Sequence, residues 1–91
     1  MLKIVLDHSP SGSAVLSLEG QVIGPWVREL ERACRPILAS ESRLELDLRG
    51  VSYLSQEGVR LLWTLRDREV GLLHCSAFIA EQLKSRGEAP A

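Results

Sequence analysis

Apolar residues recur at every second position in three stretches: Leu2, Ile4, Leu6; Ala14, Leu16, Leu18; and Leu44, Leu46, Leu48. A period of two marks a strand with one side toward a core. The first stretch predicts a strand from Leu2 to Leu6, and the second a strand over Ala14 to Glu19. The Ser9-Pro10-Ser11-Gly12-Ser13 turn cluster between them makes the pair an antiparallel hairpin. Gly20 to Gly24 is predicted as a turn. Pro25 follows at a good first helical position, where its missing N–H has no partner to lose. Trp26, Val27, Leu30, Ala33, Cys34, Ile37 and Leu38 then recur at helical spacing. Arg28, Glu29, Glu31, Arg32 and Arg35 fill the other side, and Glu31 and Arg35 form a favourable pair. Pro36 lies inside the pattern and predicts a bent or loosened last turn.

Arg43 to Leu48 is predicted as a third strand, with Glu45 and Asp47 on the solvent face. A second helix begins near Ser55, its cap, and runs to about Arg68. Val59, Leu61, Leu62, Trp63 and Leu65 spread over more than one of its faces. A half-buried helix needs a narrower stripe, so Leu61 or Trp63 is expected to be more exposed than its residue type prefers, or Trp63 to lie at the edge of the core. Gly71 to Cys75 is a short apolar strand holding His74, and Ser76 caps a last helix from Ala77 to about Ser85. The order is β-β-α-β-α-β-α, an α/β fold. Helical crossovers place parallel neighbours beside the opening hairpin, giving a mixed four-stranded sheet. Its amphipathic second and third strands predict helices mainly on one face. One domain is expected over residues 2–87, with a frayed tail at 88–91.

Composition removes function classes more than it adds them. The 91 residues carry a net charge of −1 with both signs interleaved, which predicts no nucleic-acid partner. The basic run Arg60, Arg66, Arg68 contains Asp67 and Glu69. No apolar run approaches the roughly 20 residues of a membrane span. The N-terminus reaches Asp7 too soon for a signal peptide, so the expected location is cytoplasmic. Cys34 and Cys75 are expected as free thiols. His8 and His74 have no metal-ligand spacing, no phosphate loop or nucleophile elbow occurs, and no carboxylates form a catalytic pair. The expectation is a non-enzymatic protein without cofactor or metal.

One segment remains. Ser55 begins a helix whose first N–H groups carry partial positive charge, Glu57 complements that charge, and Gly58 allows another backbone to come close. The run Leu46-Asp47-Leu48-Arg49-Gly50-Val51-Ser52-Tyr53-Leu54-Ser55-Gln56-Glu57-Gly58-Val59 resembles the hallmark of STAS domains, the sulfate transporter and anti-sigma factor antagonist family. Members show an apolar strand ending in Asp-Leu, a turn, and Asp-Ser-Ser-Gly-Leu opening a helix. Ala14 to Val22 is similar to the family's leading hairpin, and Ser76 to Leu83 to its helix after the fourth strand. In the anti-sigma antagonists the serine after the aspartate is phosphorylated by a partner kinase, which blocks docking to that kinase.

The resemblance puts Ser55 in the aspartate's place, Gln56 in the phosphoacceptor's place and Glu57 in that of the next serine. Gln56 has no hydroxyl to phosphorylate. Glu57 instead supplies a permanent single charge, against about 1.5 to 2 for a phosphate. Two readings stay open: a surface locked ready for docking, or one locked against the usual partner. Ser52, Tyr53 and Ser55 are the hydroxyls beside it, and Ser55 is better explained as a cap. Many members continue into a further strand and helix. Ending near Gly87 implies a minimal version or a sheet completed by a partner.

The resemblance implies a regulatory protein-binding module whose partner is an anti-sigma factor or a histidine-kinase-like ATPase. Candidate contact residues are Gln21, Ser52, Tyr53, Ser55, Gln56, Glu57, Gly58 and Trp63. The rival reading is an accessory component of a transport or lipid-handling complex, binding a small ligand. The expected state is a monomer or weak homodimer, associating through the open sheet face or an edge strand.

Overall fold

The structure, a computed structural model, describes residues 1–40 and 42–84. β1 (Leu2–His8) and β2 (Ala14–Val22) form the opening hairpin. Its turn is held by serines: Ser9 Oγ accepts from the Ser13 N–H at 3.2 Å and lies 2.8 Å from Ser11 Oγ. The chain continues through α1 (Pro25–Ala39), β3 (Leu44–Leu54), α2 (Gln56–Asp67), β4 (Gly71–Leu73) and α3 (Ala77–Lys84). The four strands lie in sequence order; β1–β2 is antiparallel, β2–β3 and β3–β4 parallel. The predicted order and mixed sheet are therefore both found.

The alternating leucines explain the layering. Leu16 stands beside Leu46, and Leu46 beside Leu72, across three neighbouring strands. Both crossovers step the same way along the sheet, which brings α1 and α2 to the same face. There Leu16, Leu18, Leu46, Leu48 and Val22 of the sheet meet Leu30 and Cys34 of α1, Leu62 and Leu65 of α2, and Ile79 of α3. On the other face Lys3, Glu19, Gln21 and Arg49 are exposed, and Val15, Ser17, Glu45 and Asp47 half-buried.

Strand ends depart most from the sequence expectations. Gly20, Gln21 and Val22 were expected in a turn and belong to β2. Residues 49–54 were expected beyond the strand and belong to β3. The reason is two register shifts. Ser17 pairs with Asp47 but Glu19 with Gly50; Gly20 pairs with Val51 but Gln21 with Tyr53. Each shift inserts one extra residue into β3, a β-bulge that moves the inward-facing set by one. Buried positions then run Leu44, Leu46, Leu48, Val51, Leu54, and strict alternation ends at Leu48. At the second shift Gly20 has φ +117°, and a side chain there would collide with the Met1 carbonyl oxygen, so this glycine serves a strand and not a turn.

Two smaller differences follow the same logic. β4 stops at Leu73 because His74 adopts φ +57°, so His74 and Cys75 lie outside the strand, with His74 exposed. α1 continues through Pro36 to Ala39, where the Ser40 N–H bonds the Pro36 carbonyl at 3.1 Å. Leu61 and Trp63 are both half-buried at the edge of the core. α3 lies against Trp63, whose indole N–H donates to the Leu83 carbonyl at 3.0 Å. The expected helix end at Ser85, domain end at Gly87 and tail at 88–91 lie outside the described residues.

Candidate functional site

In an open parallel sheet, ligands and partners meet the carboxyl ends of the strands, where loops and helix starts converge. Here those ends are Val22 of β2 and Leu54 of β3, which pair with each other. Ser55 joins them to α2. Its backbone N–H donates to the Val22 carbonyl at 3.0 Å, and its hydroxyl donates to the same oxygen at 3.2 Å. The hydroxyl oxygen also accepts from the Gly58 N–H at 3.1 Å, the N-cap bond expected from sequence. Gly58 completes the joint. A Cβ at this position would lie 2.6 Å from the Val22 carbonyl oxygen, so only glycine lets the helix sit this close. Ser55 and Gly58 are thus pins beneath the surface.

What they present is the first turn of α2. Gln56 and Glu57 are exposed, with the Glu57 carboxylate at the positive end of the helix. Beside them the end of β3 carries Ser52, whose hydroxyl donates to the Gly20 carbonyl at 3.3 Å, and Tyr53, which stands opposite Gln21. The Tyr53 ring stacks on Phe78 of α3, centroids 6.3 Å apart and planes 27° apart. The two remain 44% and 55% exposed, so the pair offers apolar surface to solvent beside a charged helix start. Tyr53, Leu54, Gln56, Val59, Arg60, Trp63 and Gln82 line an open groove of about 410 Å³.

The structure brings Tyr53, Gln56 and Trp63 into this groove, sets Gln21, Ser52 and Glu57 around it, and puts Ser55 and Gly58 under it. Sequence reasoning missed Phe78, Arg60 and Gln82. The Gln82 amide accepts from the Leu54 N–H at 3.1 Å and donates to the Leu54 carbonyl at 2.9 Å, standing in for a neighbouring strand where β4 no longer reaches. Nothing in the sequence signals this pairing across 28 positions. Phe78 had a readable signal, an aromatic two residues after the Ser76 cap.

The groove's polar groups are amides, hydroxyls and the Arg60 guanidinium, which bind by hydrogen bonds and charge. No group of three or more His, Cys, Asp or Glu side chains able to hold a metal occurs among the described residues. Both cysteines are free. Burial, with a smaller contribution from Glu31, pushes the Cys34 thiol up to about 11, far from a reactive thiolate at neutral pH. Burial also raises Cys75, against an opposing effect of Arg66. No helix of the described residues is long and apolar enough to cross a membrane. Comparison with protein-family models and with curated proteins finds no match to this chain.

Proposed function

We propose that this protein is a non-enzymatic regulatory module of STAS-like design that docks a protein partner through the first turn of α2 and the groove beside it. The observation that carries this reading is the division of labour at the helix start. Ser55 and Gly58 are consumed in fixing α2 to β2, while Gln56, Glu57, Tyr53 and Phe78 are held outward on that rigid joint. Rigid backbone beneath exposed aromatic and polar groups is the composition of a binding hot spot. The β-β-α-β-α-β-α order and mixed sheet are compatible with a STAS-like topology.

The docking surface lacks the usual phosphorylation switch. Gln56 has no hydroxyl, and the Ser55 hydroxyl is already engaged with Val22 and Gly58 and half-buried. Phosphorylating Ser55 would remove the proton it donates to the Val22 carbonyl and set negative charge against that oxygen. The surface therefore has a constant charge, set by Glu57 and Arg60, and its control lies in partner abundance or in the partner's own state. An anti-sigma factor or histidine-kinase-like ATPase is the partner class that the STAS resemblance implies, in the cytoplasm. Incubation with the source cell's kinases and ATP, followed by mass spectrometry, is expected to leave Ser52 and Ser55 unmodified; stoichiometric phosphate on either contradicts the constant-charge reading.

A further inference from the structure

β1 is an edge strand whose outer side pairs with no strand among the described residues, and its sequence is complementary to itself. The hydrogen-bond pattern shows which residues face outward. Ser9 donates to the Ser13 carbonyl at one end of the hairpin, and Gln21 donates to the Met1 carbonyl at the other. Within the register pairing Leu2 with Gly20 and His8 with Ala14, these bonds turn the odd-numbered residues of β1 toward β2. Alternation then turns the N–H and C=O groups of Leu2, Ile4, Leu6 and His8 to the outer edge. The His8 N–H supports this, since among the described residues it bonds the neighbouring Asp7 carboxylate, at 3.1 Å. Val5 and Leu6 are 43% and 52% exposed, large apolar side chains on a strand open to pairing.

We propose that β1 pairs antiparallel with β1 of a second copy, about a two-fold axis at Val5, joining two sheets into one of eight strands. In this register Ile4 lies opposite the partner's Leu6, and Leu2 opposite the partner's His8. These are the residues with outward-facing backbone groups, so each pair exchanges reciprocal hydrogen bonds. Lys3 lies opposite the partner's Asp7, and Asp7 opposite the partner's Lys3. They occupy non-hydrogen-bonded positions, where facing side chains come closest. Lys3 and Asp7 are both exposed and form no ion pair among the described residues. An edge guarded only against association needs one sign of charge; opposite signs placed symmetrically about Val5 fit a second copy of the same strand. On the helix face the partner's Ile4 extends the apolar strip at the cleft of about 320 Å³ between Leu6, Pro36 and Ile37.

The interface is small, so the dimer is weak. Sedimentation velocity of the wild-type chain is expected to show the dimer growing in between about 10 µM and 1 mM. Lys3→Asp and Asp7→Lys each set like charges opposite and are expected to weaken association about tenfold. An equimolar mixture of the two variants restores both attractive pairs and is expected to dimerise as well as wild type. Leu6→Arg, at a half-exposed position, is expected to be monomeric and serves if Lys3→Asp, which faces Glu19 within the hairpin, fails to fold. A wild-type chain monomeric at 1 mM, charge reversals without effect, or a mixture no stronger than either variant alone would overturn the proposal.

Discussion

At the scale of single residues, the joint between β2 and α2 rests on Ser55 and Gly58. Ser55→Ala removes the cap and the hydroxyl bond to Val22, a loss of about 1–2 kcal/mol. In a domain of this size, thermal unfolding should fall by about 5–10 °C. Gly58→Ala should cost more, because the obstruction is a backbone carbonyl that cannot rotate aside. Cys34 makes a separate prediction. Its thiol is raised in the folded protein from 9.0 to about 11, so the native state favours the protonated form. The resulting stability is full below pH 9 and is lost as pH rises through about 11, a difference on the order of 3 kcal/mol. Urea midpoints at pH 8 and pH 10.5 should show the fall, and Cys34→Ala should remove this part of it. The cap was legible in sequence because capping uses residues a few positions apart. The steric need for Gly58 was legible only as permission for close approach; that the neighbour is Val22, far back along the chain, appears only in the fold.

At the scale of elements, β3 shows where pattern reading succeeds and where it stops. Leu44, Leu46 and Leu48 announce a strand by period. Val51 and Leu54 continue it at a spacing of three because each bulge adds a residue. A bulge depends on the neighbouring strand, so alternation within β3 could not reveal it. The same tertiary override explains β2, whose glycine looked like turn punctuation. The end of β3 is completed by α3 through Gln82. Gln82→Ala should leave the Leu54 N–H and carbonyl without that amide, cost about 1–3 kcal/mol, and speed hydrogen exchange at the Leu54 amide well beyond the effect on α1. Unchanged protection at Leu54 would mean that the amide pair is not what closes this edge.

At the scale of the whole molecule, element order and sheet composition were readable because each strand and helix carries its own hydrophobic period. The proposed docking site was readable only in part. Its helix start lies in one contiguous segment, whereas Phe78 and Gln82 arrive from α3, more than twenty residues further on. Two surfaces are proposed to bind: the groove at the β3–α3 side, and strand β1 at the other edge of the sheet, whose outer side pairs with no strand among the described residues. Pairing through β1 leaves both grooves of a dimer open, so a partner with two binding segments would be held with added avidity. The first turn of α2, with Tyr53 and Phe78, is the proposed docking surface. Its most direct test is quantitative affinity capture from the source cell with wild type, Gln56→Asp, Glu57→Lys and Phe78→Ala, using Arg43→Glu at the opposite end of β3 as control. The predicted result is a protein retained by wild type and Arg43→Glu and reduced at least about tenfold by Glu57→Lys or Phe78→Ala, the loss expected for a hot-spot contact. Equal capture of every partner by all five proteins would contradict it.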